Sequence, residues 1–275
     1  MMQEINIREV FKKKNPKIAK MIPGFLYRYI ERIVHQKEIN QGIPIFGDKL
    51  GLEFVKTVLD YFQANIHIVG KENIPKEGRY IFVSNHPLGG LDGLVFAHVI
   101  GQIHPNLQFL VNDILMNLEN LDPIFIPVNK HGRQSVEYVR KIEEAYQSEA
   151  QILNFPAGLC SRKIKGKITD LEWKKSFIKK SIQHKRDIIP VHIDGKNSNF
   201  FYNLSNFRTT LGIKTNIEMF YLVDEMFQQK NKDITITVGE KIPYTTFNSS
   251  YNPQQWANKV KSHIYKLPSG ETKFE

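Results

Sequence analysis

Ten residues at positions 84–93, SNHPLGGLDG, indicate how the rest of the chain folds. They follow a short apolar run over 79–84 (RYIFVS) and precede a longer one over 91–100. A short apolar run bounded by turn residues predicts a buried strand, and the longer run is typical of a helix. The ten residues therefore form a loop at the carboxyl end of a predicted strand, which is where α/β sheets usually bind their ligands.

On both sides of this loop, strand and helix patterns alternate along the chain. The predicted strands cover 65–69, 107–111, 151–155, 188–193 and 233–238, and the predicted helices cover 135–148, 171–183 and 253–265. This alternation predicts an α/β fold with a central mixed sheet flanked by helices. We expect two parts, a helical segment over 1–64 and one structural unit over 65–275.

The helical segment carries an apolar stripe that fits two interpretations. Its members recur at three- and four-residue steps, and they are Ile18, Met21, Ile22, Phe25, Leu26, Tyr29, Ile30, Ile33 and Val34. Pro23 interrupts the stripe, so a helix is expected to start or kink there. Basic residues such as Lys20, Arg28 and Arg32 occupy the other face. The stripe either packs on the core or lies on an anionic lipid surface.

The charge of the chain favours anionic partners. Its 275 residues include 38 Lys and Arg against 28 Asp and Glu, which gives a net charge of +10. Nucleic acid, an anionic membrane surface and acidic small molecules all fit this charge. The single cysteine excludes an intrachain disulfide and a cysteine-based zinc cluster.

The apolar runs bear on where the protein works. The longest, over 91–100, is too short to cross a bilayer, and residues 1–16 lack the apolar core of a signal peptide. We therefore expect a cytoplasmic protein that is peripheral on the inner face of the membrane.

His86 and Asp92 are the candidate catalytic pair in the loop. A histidine exchanges protons near neutral pH, and a nearby aspartate can fix its tautomer and stabilise the imidazolium. Gly89 and Gly90 allow a substrate to approach the backbone closely. The spacing alone also fits a loop histidine with Asp92 as an ordinary helix cap. The complete string at a strand-to-helix junction favours the catalytic interpretation.

The string resembles the first motif of the glycerolipid acyltransferase superfamily, which includes lysophosphatidate acyltransferase. That motif is Asn-His, four residues and Asp, whereas five residues separate His86 from Asp92. The longer, glycine-rich form is similar to a divergent branch of the superfamily. This branch includes O-acyltransferases that complete bacterial ornithine and glycine aminolipids, and hemolysin-like acyltransferases.

Further blocks follow in the superfamily's order. Residues 123–130 (PIFIPVNK) stand for the second motif, whose arginine is missing and is replaced by Lys130 or Arg133. Residues 155–162 (FPAGLCSR) stand for the third, which lacks the usual glutamate and has Arg162 two residues late.

The remaining blocks extend the resemblance over about 65–244. Residues 189–191 (IPV) match the apolar-proline-apolar step of the fourth motif. Residues 195–202 (GKNSNFFY) resemble the aminolipid branch. Each block is weak alone, but four blocks in order with sensible spacing are a strong signal.

The resemblance implies an O-acyltransferase that moves a fatty acyl group from acyl carrier protein or acyl-CoA to a lipid hydroxyl. The acceptor is a lysophospholipid or a monoacylated aminolipid, and the lost glutamate favours the hydroxyl of a 3-hydroxyacyl aminolipid. His86 is implied as the base and Asp92 as its partner, with no cofactor and no metal. Substrate binding is implied for the motif residues Asn85, Gly89, Gly90, Lys130, Arg133, Gly158, Ser161 and Arg162. The implied partners are an anionic membrane surface, the thioester donor and the lipid, and no nucleic acid.

Other functions compete with this interpretation. The degenerate motifs also fit a non-catalytic lipid-binding protein of the same fold, although retention of His86 and Asp92 argues against it. The charge also fits a nucleic-acid-binding protein, but no recognised motif supports that function. Cys160 as a nucleophile has no histidine at a supporting spacing, and a lone cysteine is more often a small buried residue.

Overall fold

The structure, a computed structural model, describes residues 4–14, 16–128 and 136–275. Helices precede the first strand, namely α1 (Ile7–Lys14), α2 (Pro16–Met21), α3 (Gly24–Ile33), α4 (Gln36–Phe46) and α5 (Gly51–Phe62). Pro23 is the capping residue before α3, so the apolar stripe is interrupted at the predicted place. No helix within the described ranges has both the length and the apolar character that a membrane crossing requires.

The strands form a mixed sheet and a separate hairpin. They are β1 (Asn65–Val69), β2 (Tyr80–Ser84), β3 (Leu107–Asn112), β4 (Phe125–Val128), β5 (Gln151–Asn154), β6 (Arg162–Ile164), β7 (Lys167–Thr169), β8 (Asp187–Ile193) and β9 (Asp233–Val238). The spatial order in the sheet is β1-β9-β8-β2-β5-β3-β4, and β6 pairs with β7. Neighbouring strands are parallel except β8 and β9, which are antiparallel. The predicted mixed α/β sheet is confirmed, whereas β4 and the hairpin were not predicted.

Later helices cover the sheet, namely α6 (Leu91–Gly101), α7 (Val136–Gln147), α8 (Ser176–His184), α9 (Asn199–Thr210), α10 (Leu222–Phe227) and α11 (Pro253–Ile264). The sequence predicted neither α9 nor α10. It also placed the start of α8 too early, because the residues before it are held by tertiary hydrogen bonds. Trp173 Nε1 donates to Asp170 Oδ2 at 2.8 Å, and the Lys174 N–H donates to the Pro156 carbonyl at 3.0 Å.

β2 lies at the centre of the molecule, and all five of its residues are buried. Because side chains alternate along a strand, β2 contributes to an apolar cluster on each face of the sheet. Phe82 packs with residues of α5 and α6 on one face, and Ile81 and Val83 pack with α8 and α11 on the other. This double burial fixes the carboxyl end of β2, from which the loop at 84–93 emerges.

Candidate active site

The loop between β2 and α6 brings His86 and Asp92 into contact. His86 Nδ1 lies 2.8 Å from Asp92 Oδ2. Asp92 lies in the first turn of α6 with 0% of its side chain exposed, whereas 16% of the His86 side chain is exposed. The five intervening residues turn tightly enough to bring the two side chains together despite the longer spacing.

The surroundings of Asp92 keep its carboxylate ionised. Asp92 Oδ2 also accepts the N–H groups of Leu88 at 2.8 Å and Gly89 at 3.3 Å, and Oδ1 accepts that of Gly93 at 2.9 Å. Burial alone raises the pKa of Asp92, but the charge and hydrogen bond of His86 and the Leu88 and Gly89 N–H groups outweigh it. The pKa of Asp92 therefore lies below its ordinary value. Since an ionised carboxylate only accepts, His86 Nδ1 carries the hydrogen and Nε2 has a free lone pair.

His86 is fixed on three sides. Its N–H donates to Asp170 Oδ1 at 3.2 Å, and its carbonyl accepts the Ser161 N–H at 2.7 Å. Its ring stacks on Phe155 with the ring centroids 4.1 Å apart. No described residue hydrogen-bonds to Nε2, so this nitrogen is available to a substrate.

His86 lines an apolar cavity of about 330 Å³. The wall comes from α5, α6 and β3 and from the residues that follow β3, for example Phe54, Leu94, Phe109 and Ile124. No Asp, Glu, Lys or Arg is among the lining residues in the described part of the chain. A wall of this chemistry suits a hydrocarbon chain whose reactive end lies at His86.

Glycines bring the backbone close to the cavity. Gly89, Gly90 and Gly158 line it together with His86. Gly89 has φ +80°, and a Cβ there would lie 2.7 Å from Leu222 Cδ2, so only glycine fits. The Gly89 N–H is bound to Asp92, and the Gly158 N–H donates to the Phe155 carbonyl at 2.9 Å. The Gly90 N–H has no acceptor among the described residues and is free for a ligand.

α10 forms one side of the cavity through Val223, Met226 and Phe227. It is attached to the N-terminal helices by His35, the residue directly before α4. His35 Nε2 lies 2.9 Å from Asp224 Oδ1, and the His35 ring stacks on Phe227 with the ring centroids 4.0 Å apart. The N-terminal helices and α10 therefore close the same cavity together.

Comparison with known proteins identifies the family. The family model described as "Acyltransferase" matches residues 9–270. The chain belongs to this acyltransferase family. Two curated relatives, both named lyso-glycine lipid O-acyltransferase, come from Bacteroides thetaiotaomicron and Phocaeicola vulgatus. The chain is 49% and 46% identical to them over 264 residues, which is 96% of this chain and 97% and 95% of theirs.

The fold of the acyltransferase is also found in a solved structure. The 1-acyl-sn-glycerophosphate (LPA) acyltransferase PlsC from Thermotoga maritima aligns with a TM-score of 0.51 and 17% identity. The alignment covers 79% of this chain and 78% of that chain. The resemblance to the glycerolipid acyltransferase superfamily is confirmed, and the protein is an acyltransferase enzyme.

Two residues predicted to bind substrate in the acyltransferase hold the backbone instead of lining the cavity. The Asn85 amide is buried, donating to the Ile193 carbonyl and accepting the Ile193 N–H, both at 2.8 Å. The buried Ser161 Oγ donates to Asp170 Oδ1 at 2.6 Å. Substrate contact by these side chains stays a prediction, whereas their role in shaping the loops is visible.

The structure describes one of the three cationic side chains that were predicted to bind substrate. Arg162 is buried, with Nη2 2.9 Å from Glu218 Oε1 and Nη1 donating to the Cys160 carbonyl at 2.7 Å. Arg162 is thus held by an ion pair within the protein, in which Glu218 also pairs with Arg208, and it does not line the cavity. Lys130 and Arg133, the candidates for the missing arginine of the second motif, lie outside the described residues.

Cys160 is unsuited to nucleophilic catalysis. Its thiol is buried, and burial raises its pKa to about 11 although Arg162 acts in the opposite direction. The reactive form of a cysteine is the thiolate, which is scarce at neutral pH when the pKa is this high. The geometry therefore argues for His86, not Cys160, as the reactive group.

Sequence reasoning missed Asp170. Its carboxylate is buried and accepts hydrogen bonds from the His86 N–H, the Ser161 Oγ and the Trp173 Nε1. It thereby joins the loop at 84–93 to the block at 155–162. Asp170 lies just after β7 in a polar stretch, and nothing in that stretch distinguishes it from a solvated surface residue.

Proposed function

We propose that this acyltransferase moves a fatty acyl group from a thioester donor to the hydroxyl of a 3-hydroxyacyl chain linked to glycine. The donor is acyl carrier protein or coenzyme A carrying the acyl group. The observation that carries the proposal is the free Nε2 of His86, which opens onto the apolar cavity while Nδ1 is bound to buried Asp92. The two relatives named lyso-glycine lipid O-acyltransferase support this acceptor.

The reaction proceeds without an acyl-enzyme, because the thioester is already activated. His86 Nε2 takes the hydroxyl proton as the acceptor oxygen bonds to the thioester carbonyl carbon. Asp92 stabilises the imidazolium that forms. The tetrahedral intermediate collapses, the carbon–sulfur bond breaks with its electron pair on sulfur, and the thiolate takes the proton from His86. The products are the ester and the free thiol.

The oxyanion of the intermediate needs a hydrogen-bond donor near His86. Of the four glycines that line the cavity, Gly89, Gly90, Gly93 and Gly158, only Gly90 has an N–H with no acceptor in the described residues. Gly90 directly precedes α6, so the positive end of the helix dipole lies beside this N–H. We assign oxyanion stabilisation to this N–H.

The glycine carboxylate of the acceptor needs a cation beside the cavity. Lys174 Nζ lies 3.9 Å from the position that a Cβ on Gly158 would take, and Gly158 lines the cavity. Lys174 is exposed and forms no ion pair within the described ranges. We assign it to the acceptor carboxylate, since an unpaired ammonium binds an anion without first losing another partner.

Access to a lipid acceptor requires contact with a membrane, and α3 is suited to it. Met21 is 80% exposed and Phe25 66% exposed, so this side of the apolar stripe does not pack on the core. Tyr27 and Ile33 are buried and attach α3 to the protein. Exposed Lys20 supports attraction to an anionic surface. The protein then works as a peripheral protein on the inner face of the membrane.

The test uses purified protein with two acceptors, an N-(3-hydroxyacyl)glycine and lysophosphatidate, and with acyl carrier protein and coenzyme A thioesters as donors. Ester formation on the glycine lipid alone supports the proposed acceptor. Ester formation on lysophosphatidate alone would refute the proposed acceptor but not the proposed acyl transfer. Lys174→Gln is expected to raise KM for the glycine lipid about tenfold with little change in kcat. An unchanged KM would remove Lys174 from the site.

A further inference from the structure

α9 carries apolar residues on two of its faces. Phe201 and Tyr202 point inward and are buried. Phe200, Phe207 and Leu211, the last just beyond the helix, are 53%, 63% and 58% exposed. Their spacing of seven and four residues places them along one side of the helix. More than half of each of these side chains is exposed, and a contiguous exposed apolar patch, unlike a single exposed residue, calls for an explanation.

The outer stripe of α9 continues into the exposed side of α3. The Phe200 and Tyr221 rings lie with their centroids 4.9 Å apart. The Tyr221 and Tyr29 hydroxyl oxygens are 2.6 Å apart, and Tyr29 lies one turn after Phe25 on α3. The two helices therefore share one surface. We call it the aromatic face, and its members are Met21, Phe25, Tyr29, Phe200, Phe207, Leu211, Phe220 and Tyr221.

The charges around the aromatic face are mainly positive. Lys20 and Arg28 adjoin Met21 and Tyr29 in the chain, Lys214 lies three residues after Leu211, and these three exposed cations form no ion pair within the described residues. The acidic residues Glu218 and Glu225 near α9 are buried and turned inward. Such a surface attracts an anionic partner, and two copies of this chain would repel each other across it.

The aromatic face leads directly to the catalytic cavity. Phe220 and Tyr221 end the short helix Ile217–Tyr221, which runs without a break into α10. Val223 and Met226 of α10 already line the cavity. A lipid that reaches the aromatic face thus lies next to the helix that lines the cavity of His86, as an acceptor drawn from a membrane requires.

We propose that the outer stripe of α9 is a second membrane contact, which lies on an anionic bilayer beside α3. The proposal rests on the proposed function in that the acceptor is a membrane lipid. Phenylalanine and leucine enter the acyl boundary of a bilayer, tyrosines lie at its polar interface, and lysines meet anionic headgroups. With two contacts the molecule has a fixed orientation, in which the contact of Tyr29 with Tyr221, directly before α10, faces the lipid.

The test measures binding of the full-length protein to sedimenting vesicles, either of phosphatidylcholine alone or with added phosphatidylglycerol. The variant Phe207→Ser with Leu211→Ser removes two exposed side chains of the stripe. The matched control is Val139→Ser with Ile182→Ser, two exposed apolar residues on α7 and α8. We expect the α9 variant to bind phosphatidylglycerol vesicles roughly tenfold more weakly than wild type, and the control within about twofold.

Thermal unfolding checks that each variant is folded, and Phe220→Ser repeats the test if the α9 variant is not. Equal vesicle binding by wild type and the folded α9 variant would overturn the proposal. The proposal would also be overturned if, without vesicles, wild type sedimented as a dimer and the α9 variant as a monomer. The stripe would then bind a second copy of the chain. Since the assay needs no catalysis, a wrong acceptor in the proposed function leaves its result unaffected.

Discussion

Two histidine–aspartate pairs in this protein have nearly the same geometry. His86 Nδ1 lies 2.8 Å from Asp92 Oδ2, and His35 Nε2 lies 2.9 Å from Asp224 Oδ1. Both imidazoles also stack on a phenylalanine at about the same distance, with ring centroids 4.1 Å and 4.0 Å apart. A search for histidine–carboxylate pairs would therefore return both.

The pairs differ in what surrounds them. Asp92 is fully buried and accepts backbone N–H groups, whereas 32% of the Asp224 side chain is exposed and its other oxygen accepts the Gln228 amide. His86 lines the cavity and its second nitrogen has no hydrogen-bond partner among the described residues, whereas the second nitrogen of His35 is buried away from the cavity, 3.7 Å from Glu38 Oε2 and without a hydrogen bond. We propose proton transfer for the first pair, whereas the second attaches the N-terminal helices to α10. The contact itself does not make a catalytic pair; the environment of the other nitrogen does.

The largest expected effect is that of His86→Ala. Because Nε2 is the proposed base, we expect kcat for acyl transfer to fall by at least about 1,000-fold with the fold intact. His35→Ala is the matched control and is expected to keep kcat within roughly threefold of wild type. Initial rates and thermal unfolding of both variants check this. Full activity of the His86 variant would refute the mechanism.

A smaller loss is expected for Asp92→Asn. The amide no longer stabilises the imidazolium, so kcat should fall about 100- to 1,000-fold while KM changes little. Asp224→Asn, which alters the other pair, is expected to lower stability by about 1 kcal/mol and leave kcat nearly unchanged. Steady-state kinetics of the two variants side by side provide the measurement. Equal losses in kcat would contradict the distinction between the pairs.

Asp170→Asn tests how the position of His86 is maintained. The carboxylate of Asp170 accepts through both oxygens, whereas an amide accepts only through its single oxygen. At least one of the His86 N–H, the Ser161 hydroxyl and the Trp173 N–H therefore loses its acceptor. We expect kcat to fall roughly 10- to 100-fold through misplacement of His86, with a smaller change in KM. Ser161→Ala, which removes one donor only, should lose less. If the variant were less stable but had an unchanged kcat, Asp170 would support only the fold and not the position of His86.

The smallest effect concerns stability against pH. The pKa of Asp92 lies below its ordinary value of 3.8 in the folded protein, so its ionised form contributes stability above pH 3.8. That contribution is lost as pH falls through the lowered folded pKa. We expect the difference in melting temperature between wild type and Asp92→Asn to shrink as pH falls below 4. A difference that grows in acid would mean that the folded pKa of Asp92 is raised.

The sequence predicts the parts of this molecule that local patterns determine. The buried strand β2, the glycine loop and the apolar helix α6 follow from a single stretch of residues, and the His86–Asp92 contact follows from their junction. The sequence does not predict which way a side chain points. Asn85 has the residue type of a ligand contact, but its amide pairs with β8, which is more than 100 residues away in the chain.

The segment from α9 to α10 was missed for a different reason. α9 is apolar both on the side that packs inward and on the side that is exposed, so no single stripe marks it as a helix. The stripe of the N-terminal helices fitted two interpretations, and the structure divides it between them. Of its members, Ile33 packs inward, and Met21 and Phe25 face outward. Only tertiary contacts decide such a division.

The central claim is that the His86–Asp92 pair at the cavity, and not the His35–Asp224 pair of similar geometry, performs acyl transfer to an aminolipid. Lipid mass spectrometry of a host that makes monoacylated glycine lipid tests it directly, with wild type, His86→Ala and His35→Ala expressed to equal levels. We predict that the diacylated glycine lipid accumulates with wild type and with the His35 variant and is absent with the His86 variant. Accumulation with the His86 variant, or its absence with wild type, would contradict the account.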